Sequence, residues 1–252
     1  MRYFLELSYA GTNYHGWQIQ PNARTVQETI EKALGLLLRI PVKIVGAGRT
    51  DAGVHARQMF AHFDTDKAIN PDDLTYKLNS FLPIDIAIHK IHPVTDEAHA
   101  RFDATARSYQ YFIHRYKDPF LTETSWYLAK DLDVDLMNRA AKILTQYKDF
   151  KSFSKTRTDV KTYLCDVRQA MWQKLDNQLV FNITADRFLR NMVRAIVGTL
   201  VNVGLHKIST DDFKQIIESR NRSNAGFSVP AKGLFLTEIV YPPQIFTAYG
   251  ND

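Results

Sequence analysis

The sequence predicts an α+β protein built from two similar halves, and three observations lead to this prediction. Short segments with strand-like alternation of apolar and polar residues separate segments with helical periodicity. These segments follow the order β-α-β-β-α-β in the first half, and the second half repeats that order loosely. The chain has 252 residues and is 45% hydrophobic, which suits one large domain or two small ones with real cores. We therefore expect two α+β halves with mainly antiparallel sheets and a cleft between them.

The first half contains four predicted strands and two predicted helices. Thr25 is expected to cap a helix whose apolar stripe begins at Val26, and Pro41 marks its exit. Asn70 caps a second helix that has Pro71 at its first position and ends near residue 81. The strands are predicted at residues 3–9, 42–47, 57–63 and 84–94. This arrangement is the split βαβ, or ferredoxin-like, pattern.

The second half repeats the order without a visible sequence repeat. Asp176 and Asn177 form a plausible hairpin turn between two strands. The predicted strands are residues 109–114, 167–175, 179–185 and 235–241, and the predicted helices are residues 133–147, 188–203 and 210–219. We place the boundary near Asp103, with domains at residues 1–103 and 104–252.

Composition narrows the class of protein. The net charge of +5 and the pI near 9.1 permit an anionic partner without requiring one. The single cysteine, Cys165, excludes an intrachain disulfide and fits a reducing compartment. No apolar stretch approaches the roughly 18–20 residues that span a bilayer, and Met1 leads almost directly into a strand, without a signal peptide. We therefore expect a cytoplasmic protein with no membrane partner.

A glycine-rich loop around Asp51 is the strongest candidate for chemistry. Asp51 follows Arg49 by two residues and precedes Gly53 by two, in the run VGAGRTDAGVH. Such a loop suits an exposed acid that acts as a nucleophile or base. The alternative is a glycine-rich turn with a surface Asp–Arg pair. A strand follows the loop, and no helix is in place to bind a pyrophosphate, which argues against a nucleotide cofactor.

Other candidates are ambiguous from their pattern alone. On the predicted helix from residue 188, Arg194 shares a polar stripe with Arg187, Arg190 and Asn191, which fits either a solvated face or a functional one. Tyr109 and Tyr111 share one face of a strand and could both be core aromatics. A polar stretch with interleaved Phe150 and Phe153 is either a solvated loop or a loop that follows an RNA backbone; its cations are Lys148, Lys151, Lys155, Arg157 and Lys161. Histidines 89 and 92 would face opposite sides of a strand, so no metal site is predicted.

Four ordered motifs resemble the TruA-type tRNA pseudouridine synthases. The resemblance covers nearly the whole chain, and its central motif is AGRTDAGVH at residues 47–55. The others are YAGTNYHGWQ at residues 9–18 with RTVQE at 24–28, ARFDATARSYQY at 100–111 and FLRNMVRAIVG at 188–198.

The resemblance implies a role for each candidate residue. Asp51 would be the catalytic aspartate and Arg194 its ion-pair partner, and Tyr109 would stack on the target uracil. Arg49 would contact the flipped nucleotide or its phosphate, and Arg24 would contribute to substrate binding. The implied activity is conversion of uridine to pseudouridine at positions 38, 39 and 40 of the tRNA anticodon stem-loop, without metal or cofactor, by a homodimer whose basic clefts are lined by both subunits. The rival hypotheses are a catalytically silent RNA-binding module and an aspartate-based hydrolase acting on a small anion.

Overall fold

The computed structural model describes residues 1–156 and 160–246. Within these residues the chain forms nine β-strands and five α-helices. The strands are β1 (Arg2–Tyr9), β2 (Val45–Gly46), β3 (His55–Asp64), β4 (Ile86–Val94), β5 (Ala106–His114), β6 (Trp126–Tyr127), β7 (Val167–Leu175), β8 (Gln178–Ala185) and β9 (Leu234–Val240). The helices are α1 (Val26–Leu38), α2 (Pro71–Phe81), α3 (Val134–Ile143), α4 (Met192–Gly204) and α5 (Thr210–Glu218). The α+β class expected from the sequence is confirmed.

The chain divides into two compact units. The first contains Met1–Thr105 together with the chain from Leu236 onward, and the second contains Ala106–Phe235. The strands of the first unit follow the order β4-β1-β3-β9, and β2 pairs with β3. The pairings of β1 with β3 and β4 are antiparallel, so that Leu5 lies between Ala61 and Ile91. All three of these side chains are buried in the core of the unit.

Both helices of the first unit begin where the sequence predicts. The Thr25 side chain accepts the amide of Glu28, and Asn70 accepts the amides at the start of α2. The Asn79 amide of α2 then accepts from the Ile88 N–H and donates to the Ile88 carbonyl, each at 2.8 Å. This pair of bonds fixes α2 along the strand β4.

The predicted strand at residues 42–47 is shorter than expected. Only Val45 and Gly46 pair with β3. The preceding Ile44 bonds to α1 instead, because its amide donates to Glu31 and its carbonyl accepts from the Gln27 side chain. These side-chain bonds satisfy the backbone groups that a longer strand would have used.

The second unit contains an antiparallel sheet in the order β5-β8-β7, with β6 added parallel to β5. Asp176 adopts φ of 49° at the predicted hairpin turn. Asn138 of α3 bonds to both backbone groups of Trp172 in β7, at 2.7 and 3.1 Å. The same device therefore fixes a helix to a strand in each unit, through Asn79 and Asn138.

One prediction for the second half is wrong, and the burial of two aromatic rings narrows another. The helix predicted from residue 188 begins at Met192, because Asn191 adopts the left-handed conformation with φ of 66°. Phe150 and Phe153 are fully buried and pack against each other, and Phe153 also packs against Phe213, so their rings are not available to stack on RNA bases. Across the described residues, no helix is long and apolar enough to cross a membrane.

Candidate active site

Asp51 lies at the turn of a short loop that joins β2 to β3. The Ala47 amide donates to the Phe60 carbonyl at 2.8 Å, which ties the start of the loop to β3. The Val54 amide donates to the Asp51 carbonyl at 3.1 Å and closes the turn around Gly53, whose φ is +76°. A left-handed φ favours glycine at this position. Asp51 is partly buried and keeps some exposure to solvent.

The segment from Tyr9 to Trp17 packs against this loop and bonds to its backbone. The Trp17 amide donates to the Thr50 carbonyl, and the Gly53 amide donates to the Tyr14 carbonyl, both at 3.3 Å. The hydroxyls of Tyr9 and Thr50 lie 2.9 Å apart. The backbone on both sides of Asp51 is therefore bonded to one segment, which sets the position of the carboxylate.

His55 fastens the end of the loop and has a structural role. Its Nδ1 accepts the Gly11 amide at 3.1 Å, and its side chain is buried. A Cβ atom on Gly11 would lie 2.0 Å from the Val54 carbonyl oxygen, so only glycine permits this close approach. The motif around Gly11 and the motif around Asp51 are thus two sides of one backbone contact.

Arg24 and Arg49 are both exposed in the first unit. The Arg24 guanidinium carbon lies 4.9 Å from the centre of the Tyr14 ring, and its Nη2 donates to the Tyr14 hydroxyl at 3.3 Å. The same hydroxyl donates to Asp85 at 2.5 Å. Burial and this carboxylate raise the pKa of Tyr14. The structure thereby connects Arg24 to the residue whose carbonyl supports the Asp51 loop.

Tyr109 and Tyr111 lie on β5 in the second unit, in different environments. Tyr111 is fully buried and donates to the Pro230 carbonyl at 2.9 Å, as expected of a core residue. Burial raises the pKa of Tyr111, and the charge of Arg194 acts in the opposite direction. Tyr109 is only partly buried, and its ring meets that of Phe188 edge-on at 5.1 Å.

Arg194 lies in the first turn of α4. Its Nε donates to the Val229 carbonyl at 2.7 Å, and its own carbonyl accepts the Val229 amide at 3.3 Å. The helical stripe expected to include Arg187 and Arg190 does not exist, because both residues precede the helix. Arg194 is therefore positioned by its bond to Val229 and not by a shared helix face.

In the basic segment at residues 148–161, some of the cationic side chains contact other residues of the chain. Lys148 pairs with Asp166, and the Lys151 ammonium lies 5.5 Å from the centre of the Tyr163 ring. Lys161 is exposed. The backbone amide of Lys155 donates to the Arg190 carbonyl at 3.0 Å. Arg157 lies outside the described residues.

Metal-binding clusters of three or more histidine, cysteine or acidic residues do not occur in the part of the chain that the structure describes. The only cysteine, Cys165, is buried, and burial raises the pKa of its thiol to about 12. A thiol with this pKa is a poor nucleophile at neutral pH. Asp51 therefore stands as the better candidate for covalent or base chemistry.

Sequence reasoning missed Tyr14 and Asp85 as parts of this site. Tyr14 belongs to one of the four motifs, but its pattern gives no reason to prefer it over its neighbours. Asp85 follows Leu82, Pro83 and Ile84 at the start of a strand, where an acid is unremarkable. The bond between the two residues is visible only in three dimensions.

Comparison with known proteins points to one family. A family model described as tRNA pseudouridine synthase matches residues 7–103 and 140–242. The matched segments include the Asp51 loop and Arg194, and Tyr109 falls between them.

Curated relatives match the chain over nearly its full length. A protein named tRNA pseudouridine synthase A from Parabacteroides distasonis is 54% identical, over 97% of this chain and 98% of its own. Proteins of the same name from Porphyromonas gingivalis and Acetivibrio thermocellus are 53% and 42% identical. Those alignments cover 97% and 94% of this chain, and 99% and 98% of the relatives.

Proposed function

The chain belongs to the tRNA pseudouridine synthase family, and we propose that it acts through Asp51 on uridines 38, 39 and 40 of the anticodon stem-loop. Its reaction is the isomerisation of uridine to pseudouridine in tRNA. The loop that contains Asp51 is the observation that supports its role. Asp51 is partly buried, and the backbone on both sides of it, at Thr50 and Gly53, bonds to residues 9–18, another of the four motifs.

The chemistry explains why a carboxylate is required. The C1′–N1 bond of uridine breaks and a C1′–C5 bond forms, while the proton on C5 leaves and N1 gains a proton. An ionised Asp51 can start this by attacking C1′, by attacking C6 of the uracil, or by removing the 2′ proton to give a glycal. Each route needs the carboxylate next to the sugar and base, so the target nucleotide must leave the base stack.

Arg194 and Tyr109 complete the proposed catalytic set. A guanidinium beside Asp51 would favour its ionised form and orient it, and the bond of Arg194 to Val229 supports this role by restricting the side chain. Tyr109 would stack on the uracil, and its hydroxyl would assist removal of the C5 proton. The partial exposure of Tyr109, compared with the full burial of Tyr111, supports this division of roles.

The proposal extends to the substrate and the assembly. Arg49 would contact the flipped nucleotide or its phosphate, and Arg24 would bind the RNA backbone; both are exposed. The two units would be ferredoxin-like halves on either side of a basic cleft. The order β4-β1-β3 in the first unit, with β2 also pairing with β3, supports this topology. The active form would be a cytoplasmic homodimer that needs no cofactor.

The test is direct. Purified protein is incubated with unmodified tRNA and pseudouridine is mapped by position. We expect the product at positions 38, 39 and 40 only, with EDTA present and a prefolded stem-loop. A catalytically silent RNA-binding module would bind the tRNA and leave every uridine unchanged. Product at other positions would contradict the proposed target site.

A further inference from the structure

We propose that Tyr14 and Asp85 form a positioning pair that holds the Asp51 loop in place and couples Arg24 to that loop. The inference rests on the proposed role of Asp51 and adds two residues that would act through the position of Asp51. It also assigns Arg24 a second role, because a contact made there would be transmitted to the reacting carboxylate.

The bond between Tyr14 and Asp85 is short and protected. The Tyr14 hydroxyl donates to Asp85 Oδ1 at 2.5 Å, and only 2% of the Tyr14 residue is exposed. Hydrogen bonds to an ionised acceptor are about twice as strong as neutral ones. Because burial and the neighbouring carboxylate raise the pKa of Tyr14, its hydroxyl remains a donor throughout the physiological range.

Asp85 holds the whole segment between β1 and Tyr14. Its Oδ2 accepts from the Asn13 amide nitrogen at 3.2 Å, and its backbone carbonyl accepts the Ala10 amide at 2.9 Å. Together with the bond to Tyr14, these contacts from one residue fix the segment from Ala10 to Tyr14. That segment follows β1, and Asp85 immediately precedes β4, the strand that pairs with it.

The fixed segment is in direct backbone contact with the catalytic loop. The Tyr14 carbonyl accepts the Gly53 amide at 3.3 Å, two residues beyond Asp51. Gly11 approaches the Val54 carbonyl so closely that a Cβ atom would overlap it. A shift of Tyr14 therefore moves the backbone that carries Asp51, because no flexible side chain lies between them.

Arg24 connects this arrangement to the surface. Its guanidinium lies over the Tyr14 ring and donates to the hydroxyl that also bonds Asp85. The Arg24 carbonyl accepts the His15 amide at 2.9 Å, so backbone and side chain both meet the same segment. A phosphate bound by Arg24 would redistribute the hydrogen bonds of Tyr14, and the loop would respond.

The experiment compares the chemical step with binding. Tyr14→Phe deletes one hydroxyl, Asp85→Asn keeps an oxygen acceptor, and Asp85→Ala removes it. Tyr147→Phe is the matched control, because Tyr147 also donates to a carboxylate, that of Glu218, at 2.6 Å in the other unit. Single-turnover rates at saturating tRNA, dissociation constants and thermal unfolding are measured for each variant.

We expect Tyr14→Phe and Asp85→Ala to lower the single-turnover rate by about 10- to 100-fold, because displacing a reacting group by about 1 Å has that effect. Asp85→Asn should keep more of the rate than Asp85→Ala. The dissociation constant should stay within about threefold. In a double-mutant cycle, Arg24→Ala should lower the rate when it is introduced into the wild-type protein. It should have little further effect when it is introduced into Tyr14→Phe.

Wild-type rates in Tyr14→Phe and Asp85→Ala would overturn the proposal. The proposal would also fail if Tyr14→Phe and Tyr147→Phe lost the same rate for the same loss of thermal stability, because both effects would then be structural. A wild-type protein that makes no pseudouridine would instead refute the proposed function. If Asp85→Ala does not fold, the comparison of Tyr14→Phe with Asp85→Asn decides the question.

Discussion

A Cβ atom on Gly16 would lie 2.4 Å from the carbonyl oxygen of Thr50, the residue immediately before Asp51. The segment around Gly16 is therefore in close backbone contact with the loop immediately before Asp51. Gly16 also has φ of +87°, a conformation that other L-residues rarely adopt.

Gly16→Ala should lower turnover at least about tenfold, because the added methyl displaces the backbone beneath Asp51. The free energy of unfolding should fall by roughly 1–3 kcal/mol from strain at positive φ. Steady-state kinetics and urea unfolding measure both effects. Gly48→Ala is the control within the same loop, since no atom beyond its two chain neighbours lies within 4 Å of the position that its added methyl would occupy. Equal losses in the two variants would show that the loop tolerates no substitution and that the contact with Thr50 is not the cause.

Asp51→Asn should reduce the rate of pseudouridine formation by roughly a thousandfold or more, because the amide can act neither as nucleophile nor as base. Binding of tRNA should stay near the wild-type level, since removing a negative charge beside RNA does not weaken binding. Asp66→Asn changes the same charge at an exposed position and should leave both quantities unchanged. A near wild-type rate in Asp51→Asn would falsify the assignment.

Tyr109→Phe should keep the stacking surface and lose the hydroxyl. We expect the chemical step to slow by about 10²- to 10⁴-fold, the usual contribution of a general acid or base, with a smaller change in tRNA affinity. Tyr111→Phe is the matched control on the same strand face. It should destabilise the fold by roughly 1 kcal/mol through loss of the bond to Pro230 and leave the rate unchanged. Equal turnover in Tyr109→Phe would restrict Tyr109 to stacking.

The sequence predicted the helices of the first unit well, because their signals are local. Thr25 and Asn70 both act as caps at the expected positions, and α2 spans the predicted residues. The predicted strand at residues 42–47 failed because Gln27 and Glu31, far away in sequence, bond the backbone of Ile44. Local patterns carry no information about such partners.

Within the candidate site, too, local features were predictable from the sequence and long-range contacts were not. The glycine-rich loop made Asp51 a candidate, and it was the family resemblance that favoured a catalytic role over a structural turn. The support for that loop was not predictable, since Tyr14 and Asp85 are 71 residues apart and meet only in the folded chain. The pattern around Phe150 could not decide between two alternatives, because interleaved rings and cations occur at the edge of a core as well as on an RNA-binding surface.

His62 should make the protein less stable as the pH falls below neutrality. Burial lowers the pKa of His62 to about 4, and its Nδ1 accepts the Ala100 amide. The unfolded chain binds a proton near pH 6.5 and the folded chain does not, so stability is full above that pH and decreases down to about pH 4. We expect a loss of roughly 2 kcal/mol between pH 7 and pH 5 from this group. Urea unfolding across this range measures it.

The comparison that isolates His62 uses His62→Asn, which keeps an acceptor near the Nδ1 position, and His15→Asn at an exposed site. The slope of unfolding free energy against pH should flatten in the first variant alone. His99 and His114 also have lowered pKa values, mainly through burial, so part of the slope should remain. An unchanged slope in His62→Asn would show that the buried ring is not the source.

The last prediction concerns the basic segment and the salt dependence of binding. Neutralised phosphates release counterions, so the affinity for tRNA should fall steeply with salt, with a slope of roughly 0.7–0.9 per phosphate contact. Within the described residues, this segment has four cations. Lys148 is paired with Asp166, and the other three are Lys151, Lys155 and Lys161. Replacing these three with alanine should flatten the slope by about 2 if the segment follows the RNA backbone.

A second triple variant separates specific contacts from net charge. Lys77→Ala, Lys174→Ala and Lys214→Ala remove the same charge from two helices and a hairpin strand. If only total charge matters, both triple variants will lose affinity equally, and the assignment of the segment is wrong. If the segment binds phosphates, the first variant alone will lose slope, while its single-turnover rate on saturating tRNA stays at the wild-type level because Asp51 and its supports are untouched. Light scattering of the wild type at the same concentrations tests the proposed homodimer, which doubles the charge offered to one tRNA.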